Sequence, residues 1–301
     1  MKAAPFEYVR AESIDHALSL LDELGGDVKL VAGGQSLVPM MAMRLVRPSV
    51  LVDINHIDAL RLTTFELDGV HVGAGRRQCL AQKDPVLSRS VPLIARALQW
   101  IGHIQTRNRG TVGGSVAHAD PAAELPVVAQ MLDATLRVRS RSGTRNIAAN
   151  DFFTGPMSTA LESNECLESI FFPTWPEDHV GSAFDEISIR HGDFAIVAVG
   201  AQIALAADGR ITRAAIGVGG AGPTPLNFPA ISATMFGERP SDALLASVSA
   251  AIAAAVDPGN DLHATIAYRR HLTRTLVGRT MRAAIDNAAG IVPKFVPGLA
   301  P

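Results

Sequence analysis

Val28-Lys29-Leu30-Val31-Ala32-Gly33-Gly34-Gln35-Ser36 is the stretch on which the reading of this chain turns. Val28 to Ala32 has the apolar character of a short buried strand. It delivers two adjacent glycines, then Gln35 and Ser36. Adjacent glycines let the main chain turn its amides toward an anion and admit a phosphate without interference from Cβ. Ser36 adds a hydroxyl donor. Thr111-Val112-Gly113-Gly114-Ser115 repeats the chemistry: hydroxyl residue, aliphatic, two glycines, small hydroxyl residue. Two such loops could grip a pyrophosphate from both sides. Taken alone they fit equally well as two tight turns in an α/β core. Neither loop carries G-x-G-x-x-G, and no Gly-Lys-Ser/Thr signature occurs, so neither a Rossmann domain nor a P-loop is expected.

Outward from the first loop, the N-terminal unit reads as strand, helix, strand, loop, strand. Residues 6–10 are extended. Ser13 is suited to cap a helix over 14–24, which Gly25 stops. Residues 50–54 form a second buried strand, closing a small lobe over 1–56. The next unit, 57–176, opens with a hairpin over 65–72 turning at Asp68-Gly69. Helices over 92–101 and about 122–132 flank the second glycine loop, and strands follow at 136–139, 146–148 and 167–172. Pro173-Thr174-Trp175-Pro176 breaks regular structure and serves as a linker. In the third unit, 177–290, strands at 183–189, 196–205 and 214–218 precede helices at 242–256, capped by Ser241, and 267–288. That order predicts an α+β domain with helices on one face of an antiparallel sheet. An extended tail is expected over 291–301.

Composition limits the function classes. The chain has 301 residues, 27 basic against 29 acidic, and a net charge of −2, which gives no case for nucleic-acid binding. No apolar run reaches the length of a membrane span, and charged residues within the first fifteen positions exclude an export core. The two cysteines, Cys79 and Cys166, fit free thiols in a reducing cytoplasm. A conventional [2Fe–2S] cluster needs four thiolates, so this chain carries none. No histidine spacing suggests a zinc site.

Five ordered blocks carry a family resemblance: Ala32 to Leu37; Arg107 to Ser115; Ala119-Asp120-Pro121-Ala122-Ala123-Glu124-Leu125-Pro126; Arg190-His191-Gly192-Asp193-Phe194-Ala195; and Gly217 to Pro225. In these the chain resembles the FAD-binding medium subunit of the molybdenum hydroxylases, the group of carbon monoxide dehydrogenase and xanthine dehydrogenase, over nearly its whole length. The resemblance implies two subdomains clasping FAD, as in vanillyl-alcohol-oxidase-like flavoproteins, and a C-terminal α+β domain with a three-stranded antiparallel sheet. It implies that Ala32, Gly33, Gly34, Gln35 and Ser36, with Thr111, Val112, Gly113, Gly114 and Ser115, hold the pyrophosphate. Glu124 would accept hydrogen bonds from FAD hydroxyls, Leu167 would offer its main chain to the adenine end, and Arg190 and Asp193 would lie near the isoalloxazine ring. Some relatives have His at the position of Gln35 and Lys at that of Asp185.

The resemblance further implies partners. A large subunit would hold the molybdenum cofactor and oxidise the substrate. A small subunit would carry two [2Fe–2S] clusters, and this chain would pass the electrons to an external acceptor within a dimer of heterotrimers. It would then need no catalytic residue of its own. A self-sufficient flavin oxidase or reductase on the same fold is the alternative. Other residues have plainer readings. Asp53 is a strand-end carboxylate, His118 is satisfied by loop backbone, and at least one of Arg107 and Arg109 makes a structural ion pair. Cys79 and Cys166 are inert thiols, and Arg269, Arg270 and Arg274 form a solvated helix face.

Overall fold

The computed structural model describes residues 2–291; the tail expected over 291–301 lies, past Ile291, outside the described residues. The N-terminal lobe runs β1 (Glu7–Arg10), α1 (Ile14–Leu24), β2 (Val28–Val31), α2 (Leu37–Ala42) and β3 (Val50–Asp53). Its sheet is parallel with order β1-β3-β2, and Val50 is in register with both Glu7 and Val28. Ser13 Oγ accepts from His16 N at 3.0 Å, and Gly25 ends α1 at φ 73°. Ile14, Ala17, Leu18 and Leu21 of α1 pack against Val50 and Val52. This amphipathic spacing places one helix face on the parallel sheet, whose central strand β3 is buried at every position.

The second layer contains β4 (Thr63–Phe65), β5 (Gly69–Gly73), the short helices α3 (Gln78–Lys83), α4 (Pro85–Ser90), α5 (Pro92–Leu98), α6 (Ile104–Arg109) and α7 (Val112–His118), then α8 (Glu124–Met131). The chain continues through β6 (Thr135–Ser140), β7 (Gly143–Ala148), α9 (Ala149–Phe152), the two-strand ribbon β8 (Phe153–Gly155) and β9 (Ser158–Thr159), and β10 (Cys166–Pro173). Five of these strands form an antiparallel sheet in the order β4-β5-β10-β6-β7. Two expectations need correction here. Phe65 pairs with Val70, so the hairpin turns at Leu67-Asp68; Gly69 is already in β5, where a Cβ would meet the Phe171 ring at 2.3 Å. The second glycine segment is not an open loop. Thr111 caps α7 through Gly114 N at 3.0 Å, and both glycines lie in that helix's first turn.

The third layer is β11 (His179–Ile187), β12 (Val197–Leu205), β13 (Ile211–Gly219), β14 (Leu226–Asn227), α10 (Pro229–Ala233), α11 (Asp242–Ala255) and α12 (Ile266–Ala288). Its sheet has four strands in sequence order, not three, because Leu226 and Asn227 pair with Val218 and Gly217. Asp208-Gly209 makes the expected turn, with Gly209 at φ 83°. The helices α11 and α12 cover one face. The other face receives α8, with α5 against β11 and β12. A Cβ on Gly217 or Gly219 would lie 2.8 Å from Met131 or 2.7 Å from Val127, so bare backbone lets α8 approach. Arg269 is not on a solvated face: it is buried, bonds Asp261 Oδ2 at 2.5 Å and Gly220 O at 2.7 Å, and ties α12 to the end of β13.

Candidate functional site

The parallel register of β2 and β3 brings the first glycine loop to the edge of the second layer. A Cβ on Gly33 would lie 2.4 Å from Arg109 O and 2.7 Å from Gly110 Cα. The Ala32 methyl is 3.9 Å from the Cβ position of Gly114. Main chain therefore meets main chain, and the two glycine segments, far apart in sequence, are neighbours. Gly34 has φ +69°, the left-handed conformation that favours glycine.

The two segments differ in what they offer. Among the described residues, no acceptor receives the N–H groups of Gly33, Gly34, Gln35 or Ser36. Ser36 precedes α2 without its hydroxyl capping it. Gln35 folds its side-chain amide back onto Gly33 O at 3.1 Å. In the second segment the amides have protein acceptors. Val112 N donates to Arg76 O at 2.9 Å, Gly113 N to Ala74 O at 2.9 Å, and Ser115 N to Thr111 O at 3.2 Å. With Gly114 N on the Thr111 hydroxyl, this segment offers a close, Cβ-free wall and the Ser115 hydroxyl, while the first segment offers the free donors. Four unpartnered N–H groups in a half-buried loop are suited to an anion. The residues present therefore fit the pyrophosphate of a dinucleotide.

Glu124 opens α8 behind a tight turn, with Ala122 N on Asp120 Oδ1 at 2.8 Å and Gly220 N on Pro121 O at 2.8 Å. It is buried, and so is Glu186 on β11, which sequence reasoning missed. Burial pushes both carboxyls above the usual range; the Glu124 charge raises Glu186 further, and nearby Asp120 raises Glu124. Glu186 Oε2 has no hydrogen-bond partner among the described residues. Glu124 is thus one of two buried acids held against ionisation beside each other. A protonated carboxyl both donates and accepts. Glu186 had only its alternation on a buried strand as a signal.

Leu167 is buried in β10 beside a bulge, and the carbonyl of Glu168 next to it accepts Ala74 N at 2.9 Å. Ala74 also accepts Gly113 N, so Leu167 lies one strand from the second segment. Arg190 and Asp193 pair with each other at 3.1 Å on the exposed connection from β11 to β12. That connection lies on His103, with Gly192 at φ +89° and the His103 and His191 rings 6.3 Å apart. His103 starts α6, whose six residues rise about 9 Å to Gly110. The third layer therefore approaches the second glycine segment at one helix length.

Arg107 makes no ion pair: it donates to Gln82 Oε1 at 3.2 Å and to the carbonyls of Ile101 and Gly102 at 2.8 and 2.9 Å. Arg109 has none either among the described residues; at Arg107 carbonyl and amide contacts stand in place of the expected pair. Asp53 ends β3 as expected, buried, accepting Asn55 N at 2.8 Å and bonded by the Tyr8 hydroxyl. Its hydrogen bonds from Tyr8 and Asn55 hold its carboxyl below the usual range, although burial, the largest single influence, opposes this. Cys166 is buried, its thiol pushed up to about 12 by burial; Cys79 is half-buried. Among the described residues no group of His, Cys, Asp or Glu is arranged to hold a metal, and no helix is long and apolar enough to cross a membrane. Clefts of about 610 and 400 Å³ lie under the β6–β7 hairpin and between α11 and α12; no residue of either glycine segment lines them.

Comparison with known proteins bears on this geometry. Residues 4–175 match the family described as the FAD binding domain in molybdopterin dehydrogenase, and 182–284 match the CO dehydrogenase flavoprotein C-terminal domain. The chain is 38% identical over 288 residues to the 6-hydroxypseudooxynicotine dehydrogenase complex subunit alpha of Paenarthrobacter nicotinovorans, covering 96% of this chain and 97% of that one. It is 32% identical over 281 residues to the carbon monoxide dehydrogenase medium chain of Hydrogenophaga pseudoflava, covering 93% and 96%. The solved quinoline 2-oxidoreductase of Pseudomonas putida 86 superposes with a TM-score of 0.91 at 30% identity, covering 96% of this chain and 99% of that one. The free amides of a Gly-Gly loop, the wall behind them and these matches lead to one conclusion: the chain belongs to the FAD-binding medium subunits of the molybdenum-dependent dehydrogenases.

Proposed function

We propose that this chain is an electron relay, receiving electrons from two [2Fe–2S] clusters of a small subunit and passing them to an external acceptor. The carrying observation is the set of four unpartnered N–H groups from Gly33 to Ser36, set against the Cβ-free wall of Gly113 and Gly114. In this reading those amides and the Ser36 hydroxyl bind the pyrophosphate. Thr111 to Ser115 close the site from behind. Glu124 binds FAD hydroxyls, and the Leu167 main chain meets the adenine end. Arg190 and Asp193 set the environment of the ring. FAD, when bound, supplies a two-electron acceptor that can also release electrons singly; the protein's part is to hold it and tune it. The clasp spans subdomains 1–56 and 57–176, and 177–290 forms the C-terminal domain. Substrate is oxidised at the molybdenum cofactor of a large subunit, in a dimer of heterotrimers in the cytoplasm. The relatives' printed names, a complex subunit and a medium chain, support an assembly of several chains. The two cysteines support placing the clusters elsewhere.

The test compares the full chain alone with the chain co-expressed with its partners. Alone, it should show a flavin spectrum, be reduced by dithionite and turn over no substrate. In the complex, substrate should bleach the flavin. Substrate oxidation by the chain alone would favour the self-sufficient oxidase and overturn the relay.

A further inference from the structure

We propose that Asn55 and Arg77 are positioning residues of the pyrophosphate site, forming a polar brace that fixes the gap between the two glycine segments. This rests on the FAD reading above. Asn55 follows β3 and donates from Nδ2 to Ala32 O at 2.6 Å, gripping the first loop one residue before its glycines. The same amide donates to Asp53 Oδ1 at 2.6 Å, which orients it. Asn55 Oδ1 then accepts Arg77 Nη2 at 2.7 Å. The other arm of the Arg77 fork donates to Arg109 O. That carbonyl is the one a Cβ on Gly33 would strike. Arg77 is also bridged through its main chain to Thr111, the cap of the second segment. A continuous path therefore runs from Ala32 through Asn55 and Arg77 to Arg109 and Thr111, with no side chain of either glycine segment in it.

A charge argument adds to the geometry. Arg77 is half-buried and, among the described residues, has no carboxylate within ion-pair distance. Burial and the neighbouring guanidiniums of Arg61 and Arg109 lower its pKa, and the more distant Asp53 opposes this only in part. Arg61 is paired with Asp58 at 3.2 Å, so the charge beside the loop of free amides rests on Arg77 and Arg109, and an anionic ligand would relieve their repulsion. Arginine suits this place because its planar fork holds two acceptors in one fixed geometry, which the freely rotating ammonium of a lysine does not.

The experiment uses the full chain stripped of flavin, titrated with FAD, ADP and riboflavin, in wild type, Asn55→Ala, Arg77→Met, Arg77→Lys and the Asn55→Ala/Arg77→Met double variant. Losing one half-buried, charge-assisted bond of this kind should weaken FAD and ADP binding about tenfold. Riboflavin, which lacks the pyrophosphate, should bind each variant as it binds wild type. The double variant should be little worse than the poorer single one, because both act on one path. Arg77→Lys keeps the charge and loses the fork, so it should fall between wild type and Arg77→Met; it also supplies the measurement if Arg77→Met does not fold. Wild-type FAD affinity in the folded variants overturns the brace. So does an equal loss for riboflavin, which would mean general structural damage. If the wild-type chain binds no FAD, the parent reading fails and the brace with it.

Discussion

A methyl group at Gly33 would push against the Arg109 carbonyl oxygen at 2.4 Å and the Gly110 Cα at 2.7 Å, both main-chain atoms with little freedom to retreat. At Gly34 the nearest obstacle is a Val38 methyl at 3.1 Å, and the cost there is chiefly the left-handed backbone. Gly33→Ala should therefore pry the two segments apart and lower FAD affinity by about tenfold or more, by analogy with lost supporting contacts elsewhere. Gly26→Ala, where nothing lies within 4 Å, serves as the control. Equilibrium titration of stripped protein reads the difference; equal affinities would show that Gly33 sets no spacing. Arg190 behaves differently. Its side chain is 81% exposed and, among the described residues, paired only with Asp193, so Arg190→Ala should cost under about 0.5 kcal/mol of stability. Its expected effect is on the flavin reduction potential or reoxidation rate, with FAD content unchanged. Unaltered potential and kinetics would remove Arg190 from the ring's environment.

At the scale of elements, local signals in the sequence were reliable where one residue does one job. Ser13 and Ser241 cap helices, Gly25 ends one, and Asp208-Gly209 turns a hairpin because side-chain caps and positive φ act within a few residues. The helix α7 was not legible, since two glycines at its start oppose helix formation; the Thr111 hydroxyl on Gly114 N and the Ala74 and Arg76 carbonyls offset that cost. Asn55 and Arg77 were illegible for another reason: their partners lie 22 and 32 positions away, beyond any periodic pattern. Glu186 was hidden on a strand whose neighbours, Phe184 and Ala183, look like ordinary core.

Glu186 and Glu124 make a prediction at this scale. Both have pKa values raised by folding, so the native state binds their protons more tightly than the unfolded chain does. The native state then carries no penalty at pH values below the ordinary glutamate range and progressively loses stability as pH rises above it. Glu186→Gln removes one of the two ionisations. In flavin-free protein its melting temperature should approach that of wild type as the pH falls to about 4 and below, under the ordinary glutamate range. It should exceed wild type above pH 8 by on the order of 2–4 °C, equivalent to about 1 kcal/mol in a chain of this size. A variant less stable than wild type above pH 8 would mean that ionised Glu186 is needed.

Across the whole molecule, two sheets meet at the glycine segments and a third layer reaches toward them through helices. The parallel lobe presents free amides, the five-stranded layer presents a wall of bare backbone, and the third sheet approaches along α6 and α8. Family resemblance in the sequence pointed to this division through five short blocks. It did not show that one segment donates hydrogen bonds while the other only makes room, because that asymmetry depends on which carbonyls the fold brings to Val112 and Gly113. The central claim is that this arrangement holds FAD. The most direct measurement is the absorbance spectrum of the purified full chain before and after reconstitution, with the released flavin identified chromatographically. FAD bound in stoichiometric amount, and bound at least about tenfold more weakly in Gly33→Ala, is the predicted result. A folded chain that binds no flavin after incubation with excess FAD would contradict the account.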